Sequence, residues 1–126
     1  MITLRGNELT ERVIGFAIDV HRQLGPGLLE SAYEECLCFE LKHGDIEFAR
    51  QAPLPVVYKE IRLDCGYRMD VVVQRELVIE IKAVERLMPI HEAQVLTYLR
   101  LSGHKVGLLM NFNSLVLKDG LRRFML

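Results

Sequence analysis

Apolar residues recur at helical steps in the first part of the chain. Val13, Ala17, Val20 and Leu24 are spaced by four, three and four, and Ile14 and Ile18 widen the stripe. The spacing predicts a helix to about Leu24, with Thr10 as its N-cap. His21 flanks the buried stripe and reads as a hydrogen-bonded core histidine. Gly25-Pro26-Gly27 ends this helix, because a glycine suits the cap and a proline cannot continue it. A second helix follows from about Leu29 to His43, closed by Gly44. Tyr33, Leu37 and Leu41 lie four apart on its apolar face. Glu30 lies three before Tyr33 and seven before Leu37, so it belongs to that face and not to the polar one.

The pattern then changes to the strand period. FARQAPLPVVYKE carries Pro53 and Pro55, which suit an edge or irregular strand. YRMDVVVQRELVIEIK, Tyr67 to Lys82, reads as two apolar strands joined at Gln74-Arg75-Glu76. Pro89 is placed as the first residue of a third helix that ends near Ser102, with Gly103 as the stop. His91, Gln94 and Tyr98 share one polar face of it. KVGLLMN reads as a buried strand, and Leu115-Val116-Leu117 as a short extended piece. Lys118-Asp119-Gly120 signals a turn, and LRRFML closes the chain as a strand or short helix. Helix, helix, hairpin strands, helix, strand is the order of an α/β single domain with a mixed central sheet flanked by helices.

Composition narrows the class. The 126 residues are half apolar and 26 % charged, enough for one ordinary core. A net charge of −1 gives no global pull on nucleic acid, although a local basic rim can coexist with an acidic site. The apolar runs are too short to span a bilayer, and MITLRGNELTERV has no apolar signal core, so a cytoplasmic protein is expected. Cys36, Cys38 and Cys65 have no C-x-x-C spacing; Cys36 and Cys38 read as small buried residues. The four histidines show no H-x-x-x-H or H-x-x-E-H spacing, and phosphate-loop fingerprints are absent.

Three charges interrupt the apolar hairpin: Asp70 in its first strand, Glu80 and Lys82 in its second. If the turn centres on Arg75, Val73 pairs with Leu77 and Asp70 stands opposite Glu80. Opposed side chains share a face at a Cβ separation of ~5 Å, where like charges repel. A divalent cation joins them most simply. Asp70 and Glu80 would give Mg2+ its preferred oxygens, and the Ile81 carbonyl could add another. Lys82 would orient or deprotonate the attacking water or stabilise charge on a phosphoryl group, and Glu30 would complete the carboxylate set. The bland alternative is an Asp–Lys or Glu–Lys ion pair within a strand.

Asp70 followed by Glu80-Ile81-Lys82, after a helical Glu and before Gln94-x-x-x-Tyr98, resembles the PD-(D/E)xK nuclease superfamily, the last element being similar to one in its RecB-like branch. Gly27-Leu28-Leu29-Glu30-Ser31-Ala32-Tyr33 matches the signature of the GxxExxY protein family. HRQLGPGLLESAYE, IEIKAVERLMPIHEAQVLTYL and GLLMNFNSLVLKDG are also similar to that family, over roughly Leu9 to Arg123. Met69 stands where the superfamily's name has Pro. The resemblance implies a restriction-endonuclease-like core. It implies Asp70, Glu80 and Glu30 as metal-binding residues for Mg2+ or Mn2+, and Lys82 as the catalytic assistant. Gln94, Tyr98 and Tyr33 would stand beside them or contact substrate. The expected activity is Mg-dependent nuclease action on DNA. The alternative is a non-catalytic module of the same fold that binds nucleic acid or protein. A homodimer through the segment with Phe124 and Leu126 would enlarge a small footprint.

Overall fold

The computed structural model describes residues 4–126. The first three positions of the stretch read for an export signal lie outside it. Two helices come first, α1 (Gly6–Leu24) and α2 (Glu30–His43). Five strands follow: β1 (Phe48–Pro53), β2 (Val56–Tyr58), β3 (Ile61–Leu63), β4 (Arg68–Val73) and β5 (Leu77–Lys82). Helix α3 (Pro89–Ser102), β6 (Val106–Asn111), a short 3-10 turn at Leu117–Gly120 and β7 (Leu121–Met125) complete the chain.

The main sheet runs β1-β4-β5-β6-β7, while β2 and β3 form a separate small hairpin. Among the described residues only the β5–β6 pairing is parallel. A parallel pair needs a crossover, and α3 supplies it. Helices cover both faces. Val71, Val73, Ile79, Ile81, Leu108 and Met110 pack with α1 and α2. Val72, Val78 and Leu109 pack with Val95, Tyr98 and Leu99 of α3. Because both faces are covered, every residue of β6 is buried, and β5 is buried up to Lys82. Helix α3 lies close on β6: a Cβ at Gly107 would stand 2.8 Å from Val95 Cγ1.

Helix α3 begins at Pro89 and stops at Gly103, whose φ of 82° is left-handed, as its sequence signals predict. His21 is buried, and its Nε2 donates to the Ser114 carbonyl at 2.7 Å. Two expectations are corrected. Helix α1 starts at Gly6, so Thr10 lies inside it and its hydroxyl donates back to the Gly6 carbonyl. Burial of Leu9 and Thr10 against the core extends the helix past the cap signal. Leu115-Val116-Leu117 is not a strand; it enters the 3-10 turn, with Leu115 90 % exposed and Leu117 buried. Cys38 is buried, Cys36 half-buried and Cys65 exposed, all as free thiols. Among the described residues no helix is long and apolar enough to cross a membrane.

Candidate active site

The β4–β5 hairpin turns where its polar residues sit. Gln74 (φ 50°) and Arg75 (φ 56°) are both left-handed, and Glu76 N–H donates to the Val73 carbonyl at 3.0 Å. Val73 pairs with Leu77, Val72 with Val78 and Val71 with Ile79, the register read from the sequence. The next step along this register brings Asp70 to Glu80. There the side chains take over from the ladder. Asp70 N–H donates to Glu80 Oε2 at 2.9 Å, and Ile81 N–H donates to Asp70 Oδ2 at 2.8 Å. Each carboxylate therefore accepts a backbone N–H of the opposite strand, a charge-assisted bond that fixes its direction.

Burial makes the pair electrostatically expensive. Glu80 is 2 % exposed, and burial, followed by the neighbouring Asp70 carboxylate, pushes its pKa up to about 8. Burial also raises Asp70, against the pull of the Ile81 N–H. Lys82 favours the ionised form of both groups. Yet the ion pairs among the described residues do not include Lys82, so the ordinary strand ion pair is not formed. The lysine is half-buried at the end of β5, where β6 and the loop beyond it hold its backbone. Phe112 N–H donates to the Lys82 carbonyl. The buried Asn111 side chain accepts from Val84 N–H and donates to the Val84 carbonyl, both within 3.0 Å.

The helical carboxylate at this site is Glu34, not Glu30. Glu30 is exposed in the first turn of α2, ahead of the part of the helix that lies on the sheet. Glu34 is buried, and its charge acts on both Asp70 and Glu80. Arg50 Nε donates to Glu34 Oε2 at 2.6 Å. Gln51 Nε2 donates to Glu34 Oε1 at 2.8 Å and lies 3.4 Å from Asp70 Oδ1, so it spans the two carboxylates. Gln51 has a left-handed φ of 52° inside β1, where the strand skips a pairing between Arg50↔Val71 and Ala52↔Met69. The position skipped faces Asp70. Alternation in β4 fails at the same place: Met69 packs with the α3 layer although Val71 packs with the α1–α2 layer. This local break, of the kind that re-aims side chains beside functional sites, turns Asp70 toward Glu34.

Sequence reasoning missed Glu34, Arg50, Gln51 and Asn111. Glu34 had a usable signal, since it precedes Leu37 by three and Leu41 by seven, the same criterion that singled out Glu30. The strand break at Gln51 left no such trace.

Helix α3 closes the site from the other side. Gln94 Nε2 donates to the Tyr98 hydroxyl at 3.1 Å. Burial raises the Tyr98 pKa, as do the Glu80 and Asp70 charges, which puts this residue within electrostatic reach of the pair. Lys82, His91, Gln94 and Tyr98 line a cleft of about 600 Å³. Tyr33 is not with them. It is fully buried in the α1–α2 layer, stacked on Phe112 at 4.7 Å. Its hydroxyl donates to the Gly25 carbonyl at 2.6 Å and accepts from Leu28 N–H, so it latches the Gly25-Pro26-Gly27 turn.

Among the described residues no three Asp, Glu, His or Cys side chains form a ready-made metal cage. The donor set still fits a hard cation. Asp70 and Glu80 present two neighbouring carboxylates on facing strands, and Mg2+ is commonly held by few carboxylates, with waters and substrate phosphates completing its shell. Neither curated proteins nor solved structures give a match to the chain. A family model described as the PD-(D/E)XK nuclease superfamily matches residues 7–124. With that match over nearly its whole length, and a mixed sheet that carries Asp70, Glu80 and Lys82 on one hairpin, the chain belongs to the PD-(D/E)XK nuclease superfamily.

Proposed function

We propose that the chain hydrolyses phosphodiester bonds in DNA at the open end of the β4–β5 hairpin, with Mg2+ or Mn2+ as cofactor. The cross-strand bonds of the two carboxylates, Glu80 accepting from Asp70 N–H and Asp70 from Ile81 N–H, carry this reading, because they hold a buried and a half-buried acid side by side with Lys82 outside the ion pairs of the described residues. Asp70 and Glu80 would hold the ion, whose chemistry is Lewis acidity toward water and a phosphoryl oxygen. Glu34 takes the part first expected of Glu30: it adds negative charge behind the pair and is itself held by Arg50 and Gln51. The Lys82 ammonium stabilises charge that develops on the phosphoryl group. Gln94 and Tyr98 present polar groups from α3 to the substrate side. The free thiols support a cytoplasmic setting. The exposed Met125 and Leu126 at the β7 edge support a second copy as partner.

The test is cleavage of plasmid and single-stranded DNA with Mg2+ or Mn2+. Asp70→Ala is expected to lose about 10²-fold or more of the rate. Cleavage that survives this substitution overturns the assignment. Metal-independent binding without turnover by the unaltered protein would instead make it a non-catalytic module of the same fold.

A further inference from the structure

The cleft beside Lys82 has more apolar wall than phosphodiester chemistry needs. Leu54, Val56 and Tyr67 form much of its lining, together with Ile90 and Leu101 of α3, the helix that also carries Gln94 and Tyr98. Tyr67 is 50 % exposed and Ile90 71 % exposed, so both surfaces are open to a ligand. A second hollow of about 450 Å³ adjoins it, and Leu54 and Tyr67 belong to both. Arg62 and Arg68 line that second hollow, together with Asp64. The two therefore form one track, from the amine of Lys82, past an aromatic ring and aliphatic walls, to two guanidinium groups.

Apolar and aromatic faces next to spaced cations suit unpaired bases and their phosphates. A single strand offers both, whereas a duplex keeps its base faces stacked inside and offers phosphates alone. A net charge of −1 also gives the chain no excess of cations with which to neutralise many duplex phosphates. We propose that this track seats single-stranded nucleic acid, with a base against Tyr67 and Leu54, the neighbouring phosphates at Arg62 and Arg68, and the next phosphate delivered to Lys82, Asp70 and Glu80. This deepens the nuclease reading and rests on it for the position of the cut. The polar groups of His91, Gln94 and Thr97 lie where base edges would meet the α3 wall.

The test reads binding separately from cutting. In an Asp70→Asn background, fluorescence anisotropy compares a labelled oligothymidylate with a hairpin duplex of equal length. The single strand is expected to bind about tenfold or more tightly than the duplex. Adding Tyr67→Ala should weaken single-strand binding about tenfold or more with an unchanged melting temperature, since the side chain is half exposed. Joint Arg62→Gln and Arg68→Gln should flatten its salt dependence. Equal or tighter duplex binding overturns the proposal. So does unaltered single-strand affinity in the Tyr67→Ala protein. Duplex cleavage by the wild-type protein that Tyr67→Ala does not slow would overturn the track and leave the nuclease reading standing. Tight single-strand binding that depends on Tyr67, without cutting in Mg2+ or Mn2+, would keep the track and remove the nuclease reading.

Discussion

The β4–β5 hairpin is built differently at its two ends. At the turn, Val71, Val72 and Val73 pair with Ile79, Val78 and Leu77 in an unbroken apolar ladder, all of it buried. One step farther along, Glu80 is equally enclosed and Asp70 half-buried, and carboxylates replace backbone carbonyls as the acceptors. Both ends satisfy their N–H groups. They differ in what burial does: it stabilises hydrocarbon at the turn and opposes ionisation at the open end. The protein keeps the costly end, and an added cation would relieve its cost. A polar group kept against stability in this way marks a candidate site.

Single substitutions in one strand should separate the ends. Ile79→Ala removes a fully buried side chain from the dry part, and denaturant unfolding should show a loss of about 2–5 kcal/mol. Glu80→Gln, at the adjacent position, should have the opposite sign without divalent ions. An unfolded Glu80 ionises near 4.5 and the folded one near 8. Between these values the folded state holds the extra proton, so wild-type stability falls as pH rises. Asp70, also raised, adds to the same slope. Glu80→Gln should thus gain about 1–3 kcal/mol over wild type at pH 8 and nothing at a pH well below 4.5. A loss at pH 8 would mean that the ionised carboxylate supports the fold. Gln51→Gly should change stability least, by under about 1 kcal/mol, because release of the left-handed strand residue offsets its lost hydrogen bonds. Its cleavage rate should nevertheless fall, as Glu34 and Asp70 lose the amide that spans them. A large stability loss with an unchanged rate would assign Gln51 to the fold alone.

Much of the dry end was legible in the chain. The valine run, the polar turn at Gln74–Glu76 and the strand period set the register, and the Pro89 and Gly103 signals set α3 within the residue. Asp70, Glu80 and Lys82 were legible for the same reason: charges in apolar runs stand out, and alternation says which of them share a face. Contacts made by breaking a period were not legible. Gln51 spans Glu34 and Asp70 where β1 skips a pairing and β4 changes face at Met69, and no spacing rule describes a strand that departs from its own alternation. Tyr33 shows the converse error. Its place in a seven-residue signature suggested a part in the chemistry, but its ring fills the core and its hydroxyl holds a turn. The start of α1 was missed because Thr10 is a good cap in isolation, while burial of Leu9 decides where the helix begins.

The central claim is that the open end of the hairpin is a cation site and not a buried ion pair. Calorimetric titration of Mn2+ into the wild-type protein and into Glu80→Gln tests it most directly. A cation site gives saturable binding to the wild type that raises its melting temperature, with both effects lost in Glu80→Gln. Mn2+ binding that is absent from the wild type, or that persists unchanged in Glu80→Gln, would contradict it.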